Sequence, residues 1–123
     1  MIDAWIKSTD QEFYKIEYGW KKGEHPKRGR FNPDFFIKIG NIILVIEIKG
    51  DEEIANPSDE NKAKYKAAKQ HFKTLNEQQS ELEYHFNFLT SGDYDFYFNS
   101  LRNKKYHFTS KLDAELEKNG KNK

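Results

Sequence analysis

The chain has no cysteine, a single methionine and three prolines among its 123 residues. It therefore has no disulfide framework, no thiol nucleophile and no thiolate metal site. Its four histidines, His25, His71, His85 and His107, lie far apart in the sequence, which argues against a zinc site built on short His spacing. Any metal is expected on oxygen ligands. The longest uninterrupted apolar run is Ile42–Ile46, far short of the roughly 20 residues a membrane span requires. Met1-Ile2-Asp3 opens no signal-peptide pattern. A cytoplasmic protein without membrane partners is expected. Apolar residues are also scarce, at 36% against roughly 45–50% in typical domains, so the core is thin. A net charge of only +1 and an aromatic content of 15% exclude the disordered class, which combines high net charge with few aromatics. The length fits one domain spanning residues 1–123.

The charge balances overall but comes in blocks. Lys21 to Arg30 carries Lys21, Lys22, Lys27, Arg28 and Arg30 against Glu24 alone. Glu47 to Glu60 holds Glu47, Asp51, Glu52, Glu53, Asp59 and Glu60 against Lys49, and Asn61 to Lys73 then holds five lysines and no acid. Glu12 to Tyr18 alternates as a half-buried strand does, and Gly19 to Arg30 reads as a Gly/Pro/basic loop. Phe35–Ile39 and Ile42–Ile48 are β-branched apolar runs separated by Gly40-Asn41, which suits a two-residue hairpin turn with glycine first. Asp59 is placed to cap a helix whose apolar positions Tyr65, Ala68, Phe72 and Leu75 lie on one face, with Lys62, Lys66, Lys69 and Lys73 on another. Glu83 to Thr90 reads as a further strand and Asp93 to Arg102 as a short helix or an aromatic segment. Residues 111–123 read as a charged, frayed tail.

The hairpin carries the chemistry. A turn at Gly40-Asn41 sets Ile39 opposite Ile42 and Phe36 opposite Val45, so Asp34 falls opposite Glu47. Like charges so placed repel unless something compensates. Lys49, two residues beyond Glu47, projects to the same face. A near-continuous apolar strand implies cover on both faces and hence burial of Glu47. A divalent cation between the two carboxylates resolves the repulsion, and Mg²⁺, which takes few carboxylates, keeps water and works with phosphates, fits best. Metal-assisted phosphodiester hydrolysis is the reaction this set supports, with the basic blocks suited to a polyanion.

Phe31-Asn32-Pro33-Asp34-Phe35-Phe36 followed by Val45-Ile46-Glu47-Ile48-Lys49-Gly50 resembles the PD-(D/E)XK nuclease superfamily. The stretch from Trp5 to Leu101, with Glu60-Asn61-Lys62-Ala63-Lys64-Tyr65 after the motif, is most similar to the C-terminal endonuclease domain of type III restriction subunits and related DEAD/DEAH-box helicases. The resemblance implies a restriction-endonuclease-like αβββαβ core, a mixed central α/β sheet flanked by helices. It implies DNA cleavage with Mg²⁺, for which Mn²⁺ can substitute, metal ligation by Asp34, Glu47 and the backbone carbonyl of Ile48, and a catalytic Lys49. It further implies a helicase or translocase as domain or subunit partner, a setting in restriction or phage defence, and a homodimer as an open alternative. No counterpart of the initial core helix is evident before Glu12, and the ATP-binding helicase part is absent, so the chain reads as an excised domain or a short stand-alone relative.

DNA contacts are assigned to Lys21, Lys22, Lys27, Arg28 and Arg30, and to Lys64, which lies off the lysine stripe and is the helix residue best placed to reach the site. Set against this are a strand-edge ion cluster at Asp34, Glu47 and Lys49, and a solvated basic loop. A non-catalytic nucleic-acid-binding or assembly module that keeps the fold is the alternative function. A glycosidase is disfavoured, because opposed strand carboxylates lie closer than an inverting pair requires. Glu17 reads as an exposed strand carboxylate and His71 as a packed or surface histidine. Asp51-Glu52-Glu53 reads as a solvated loop, and Tyr94, Phe96, Tyr97 and Phe98 read as packing residues.

Overall fold

The computed structural model describes residues 4–7, 16–22, 24–31 and 33–121. Four strands form the main sheet: β1 (Ala4–Lys7), β4 (Phe35–Ile39), β5 (Ile42–Ile48) and β6 (Glu83–Leu89), in the order β1-β4-β5-β6. β1/β4 and β4/β5 are antiparallel and β5/β6 is parallel, so this is the mixed sheet expected of a restriction-endonuclease-like fold. The parallel pair needs a crossover, and α1 (Glu52–Ala55) and α2 (Asp59–Gln78) supply it. Among the described residues no helix precedes the sheet. The first sheet strand is Ala4–Lys7, and the Glu12–Lys15 part of the expected strand lies outside the described residues. No described helix is long and apolar enough to cross a membrane.

The β4–β5 register matches the expectation, with Ile39 against Ile42 and Phe36 against Val45. Gly40 has φ +58° while Asn41 is not at positive φ, the pattern of a type II′ turn that needs glycine at its first central position. Both faces of β5 are covered. Ile43 and Val45 join Phe86, Phe88, Tyr65, Ala68 and Phe72 in a core under α2, whereas Leu44 and Ile46 join Ile37, Leu89, Tyr97 and Leu101 under α3 (Tyr94–Arg102). α2 buries Tyr65, Ala68 and Phe72, as the spacing predicts, but its N-cap is Ser58, whose Oγ accepts from the Asn61 N–H at 3.1 Å. Asp59 sits inside the first turn, where its charge complements the helix dipole.

Two expectations are corrected. Gly19–Arg30 is not a loop: β2 (Ile16–Lys22) and β3 (His25–Phe31) form an antiparallel ribbon with Tyr18 opposite Gly29 and Gly19 opposite Arg28. Ile16 and Tyr18 are buried beside α2, and an isolated ribbon has open edges where Pro26 and exposed cations are tolerated. Gly29 is required by close approach, since a Cβ there would sit 2.6 Å from the Tyr18 ring. Nor is Lys111–Lys121 a frayed tail. It forms α4, with Leu112 and Leu116 buried one turn apart. Asp113 fastens it to the free edge of β6, accepting from the Phe88 N–H at 3.0 Å, the Asn87 Nδ2 at 2.7 Å and the Ser110 N–H at 3.1 Å. Burial pushes the Asp113 carboxyl up, and these donors oppose that.

Candidate active site

Glu47 ends the buried part of β5 on the face that looks toward α2, and only 7% of it is exposed. The Lys49 N–H donates to the Leu89 carbonyl at 2.9 Å, so odd-numbered β5 residues direct their backbone groups toward β6. Even-numbered ones therefore face β4. Extending the β4–β5 register would set Ile48 opposite Pro33, which has no N–H to give. The ladder accordingly stops at Phe35 and Ile46, and Asp34 replaces it: its Oδ2 accepts from the Ile48 N–H at 2.8 Å. The Ile48 carbonyl points to that same side and meets no ladder donor at Pro33. The Pro-Asp pair thus ends the pairing and brings a carboxylate and a main-chain carbonyl together at the strand end.

Lys49 Nζ lies 3.5 Å from Glu47 Oε2, and Lys64 Nζ, reaching in from α2, lies 3.9 Å from the same oxygen. The other oxygen, Oε1, is buried without a hydrogen-bond partner. Burial raises the Glu47 pKa from its ordinary 4.5 to about 7, helped by the Asp34 charge and opposed by Lys49 and Lys64. Burial lowers the Lys64 pKa, and the Lys49 charge lowers it further. Lys49 also stands 5.4 Å from the centre of the Phe88 ring, and Lys64 stands 5.5 Å from that of Tyr18.

Two residues that the sequence reading did not single out complete this corner. The Tyr18 hydroxyl donates to Glu60 Oε2, and burial followed by this carboxylate pushes the Tyr18 pKa well up. Glu60 and Lys64 stand at i,i+4 on α2, the spacing that places side chains on one helix face, and that spacing was the available signal for Glu60. Tyr18 gave no such signal, because its approach depends on how the β2–β3 ribbon lies against α2.

The structure therefore gathers Asp34, Glu47, Ile48, Lys49 and Lys64. The remaining predicted contacts are elsewhere. By strand alternation Lys21, Arg28 and Arg30 share the outer face of the β2–β3 ribbon with Glu17, while Lys27, opposite Trp20, lies on the inner face. Lys22 closes β2 opposite His25. Arg28 and Arg30 line a surface cavity of about 650 Å³. Arg30 also lines a second, of about 750 Å³, with α2 residues including Gln70 and His71. Neither cavity includes Asp34, Glu47 or Lys49 among its lining residues.

Other readings change. The acidic run is not merely solvated: Asp51 Oδ2 accepts from Ser91 Oγ at 2.8 Å, and Glu53 Oε1 accepts from Asn61 Nδ2 at 2.8 Å and from the Ser58 N–H at 3.0 Å. Burial would raise the Glu53 pKa, but these donors outweigh it and hold it low. His71 packs edge-on against Phe72 at 4.9 Å between ring centres, and burial lowers its pKa. Tyr97 is buried as a packing residue, yet Phe96 and Phe98 are exposed, at 65% and 43%, because a helix on the sheet can turn only one face inward. His85 and His107, remote in sequence, have ring centres 4.6 Å apart. Sequence spacing, which argued only against a site built on short His spacing, could not show that.

Two carboxylates, one of them with a buried oxygen that has no hydrogen-bond partner, a main-chain carbonyl and two ammonium groups thus meet at one strand end. Such a donor set suits a hard divalent ion. A family model described as an endonuclease domain matches residues 6–91. No curated protein and no solved structure matches the chain.

Proposed function

The chain belongs to the endonuclease-domain family, and from that premise we propose that it is a PD-(D/E)XK nuclease domain that cleaves DNA with Mg²⁺. The observation that carries this reading is the buried Glu47, whose Oε1 has no partner, placed beside Asp34 and Lys49. A carboxylate oxygen left without a donor in a closed site is costly, and a cation at that point removes the cost. Asp34, Glu47 and the Ile48 carbonyl would hold the ion. When bound it supplies polarisation of a phosphoryl oxygen and a lowered pKa for water.

The protein's own groups do the rest. Asp34 stays oriented by the Ile48 N–H. Lys49, held between Glu47 and the Phe88 ring, offers its ammonium to the attacking water or to charge developing on the phosphate. Lys64, fixed by Glu47 and the Tyr18 ring, adds a second positive charge from the α2 side. Arg28, Arg30 and Lys21 on the outer face of the ribbon, together with Lys22 and Lys27, supply phosphate contacts that position DNA without reading its sequence.

The likeness to type III restriction subunits and DEAD/DEAH-box helicases supports an assignment to restriction or phage defence in the cytoplasm, with a helicase or translocase moving the DNA and residues 1–123 acting as a single nuclease domain. Nicking of supercoiled plasmid tests the core of this. Cleavage is expected with Mg²⁺ or Mn²⁺, none with EDTA, and none in Glu47→Ala. Cleavage that survives Glu47→Ala overturns the assignment. A wild-type chain that binds DNA but not Mg²⁺ would be a non-catalytic module instead.

A further inference from the structure

We propose a second metal site, for Zn²⁺ or a similar late first-row divalent ion, formed by Glu83, His85 and His107. Glu83 and His85 alternate onto one face of β6, opposite to the face that carries Tyr84, Phe86 and Phe88 into the α2 core. His107 reaches them from the irregular segment between α3 and α4, which passes the free edge of β6. That segment is anchored next door, where Asn87 Nδ2 donates to the Phe108 carbonyl at 2.7 Å. A carboxylate oxygen and one nitrogen from each imidazole all lie within 4.8 Å of one another.

The donor set selects the ion. Two imidazoles with one carboxylate suit zinc and its neighbours, whereas Mg²⁺ is taken by oxygen ligands. Three protein ligands leave a fourth tetrahedral position open to water. His85 Nε2 already touches Glu83 Oε2. A proton between them explains that pair by itself, but it gives no reason for a third donor. His107 stands edge-on to His85 and supplies that donor. Tetrahedral ligands at about 2.0–2.1 Å from zinc stand roughly 3.3 Å from one another, so the touching Glu83–His85 pair must open slightly to admit the ion; Glu83 and His107 are both exposed, so their side chains can adjust without disturbing the core.

The site is separate from the carboxylate cluster. It sits on the opposite face of β6, where His85 and Glu83 precede Phe88, the partner of Glu47, by three and five residues, roughly 10–17 Å by the rise of the strand. Its effect is a clip: an ion here ties the 103–110 segment, and through it α4, to the sheet edge. The inference does not depend on the nuclease reading.

Titration calorimetry with ZnCl₂ and thermal melts on the whole chain test it. One zinc per chain is expected, with melting raised by several degrees at saturation, and Mg²⁺ is not expected to compete. His107→Ala, a change at an exposed residue, should weaken zinc binding at least about tenfold and abolish the melting shift, while Mg²⁺-dependent nicking is unchanged. His85→Gln should do the same. Glu47→Ala should leave zinc binding intact. Co²⁺ should give the strong visible absorption of a low-coordinate ion in the wild type and lose it in His107→Ala. Zinc binding that persists in His107→Ala, or that vanishes in Glu47→Ala, overturns the proposal.

Discussion

Glu47→Gln removes one charge from the most buried point of the carboxylate cluster and nearly preserves shape. In the folded protein the Glu47 pKa stands near 7 against an ordinary value of 4.5, so the folded state holds this proton more tightly than the unfolded chain does. Between those two values the unfolded chain has already released the proton, and stability must fall as pH rises. Above about pH 7 both states are ionised, and the full cost, on the order of 3 kcal/mol, is present. Lys49 and Lys64 reduce that cost without cancelling it, since burial and Asp34 outweigh them. Glutamine has no proton to lose. In EDTA, the stability difference between variant and wild type should therefore be constant below about pH 4.5, grow in the variant's favour up to about pH 7, and level off. The gain corresponds to a melting difference on the order of 10 °C at this chain length. Urea titrations at pH 4.5 and pH 8 measure it directly. Mg²⁺ at 100 times its dissociation constant should stabilise the wild type by about 2.7 kcal/mol and the variant hardly at all. A variant that loses stability relative to wild type as pH rises would refute the reasoning, because Glu47 would then be held by a net stabilising ion pair with Lys49 and Lys64.

Lys49→Ala should lose at least about 100-fold in nicking rate while Mg²⁺ affinity by calorimetry stays within a few-fold, since an ammonium is not a ligand. Loss of metal binding would reassign Lys49 to holding Glu47. Replacing Arg28 and Arg30 together by Ala should weaken binding to DNA of any sequence and flatten the log–log salt dependence by about one for each phosphate contact removed; an unchanged slope in fluorescence anisotropy would take the outer face of the ribbon out of the interface. Asp113→Ala strands three donors and should cost about 3 kcal/mol in urea denaturation, whereas a loss under about 1 kcal/mol would mean that α4 contributes little to the fold.

What the sequence determined by itself was whatever one local period could carry. The Gly40-Asn41 turn with its two apolar runs set the β4–β5 register, and the register placed Asp34 and Glu47 at one strand end, because pairing across a two-residue turn leaves no freedom to slip. The inward face of α2 followed from its spacing in the same way. Tertiary structure alone decided the remainder. The β2–β3 ribbon resembles a loop because glycine, proline and cations fill its exposed positions, and only its seat on α2 shows that Ile16 and Tyr18 are core. The α4 segment looked like a solvated tail until Leu112, Leu116 and Asp113 found the free edge of β6. Tyr18 meets Glu60 where the ribbon lies on α2, and His85 meets His107 across the α3 excursion. Such contacts join residues distant in the chain, whose adjacency is fixed by how helices, ribbon and sheet pack and leaves no periodic trace in the sequence.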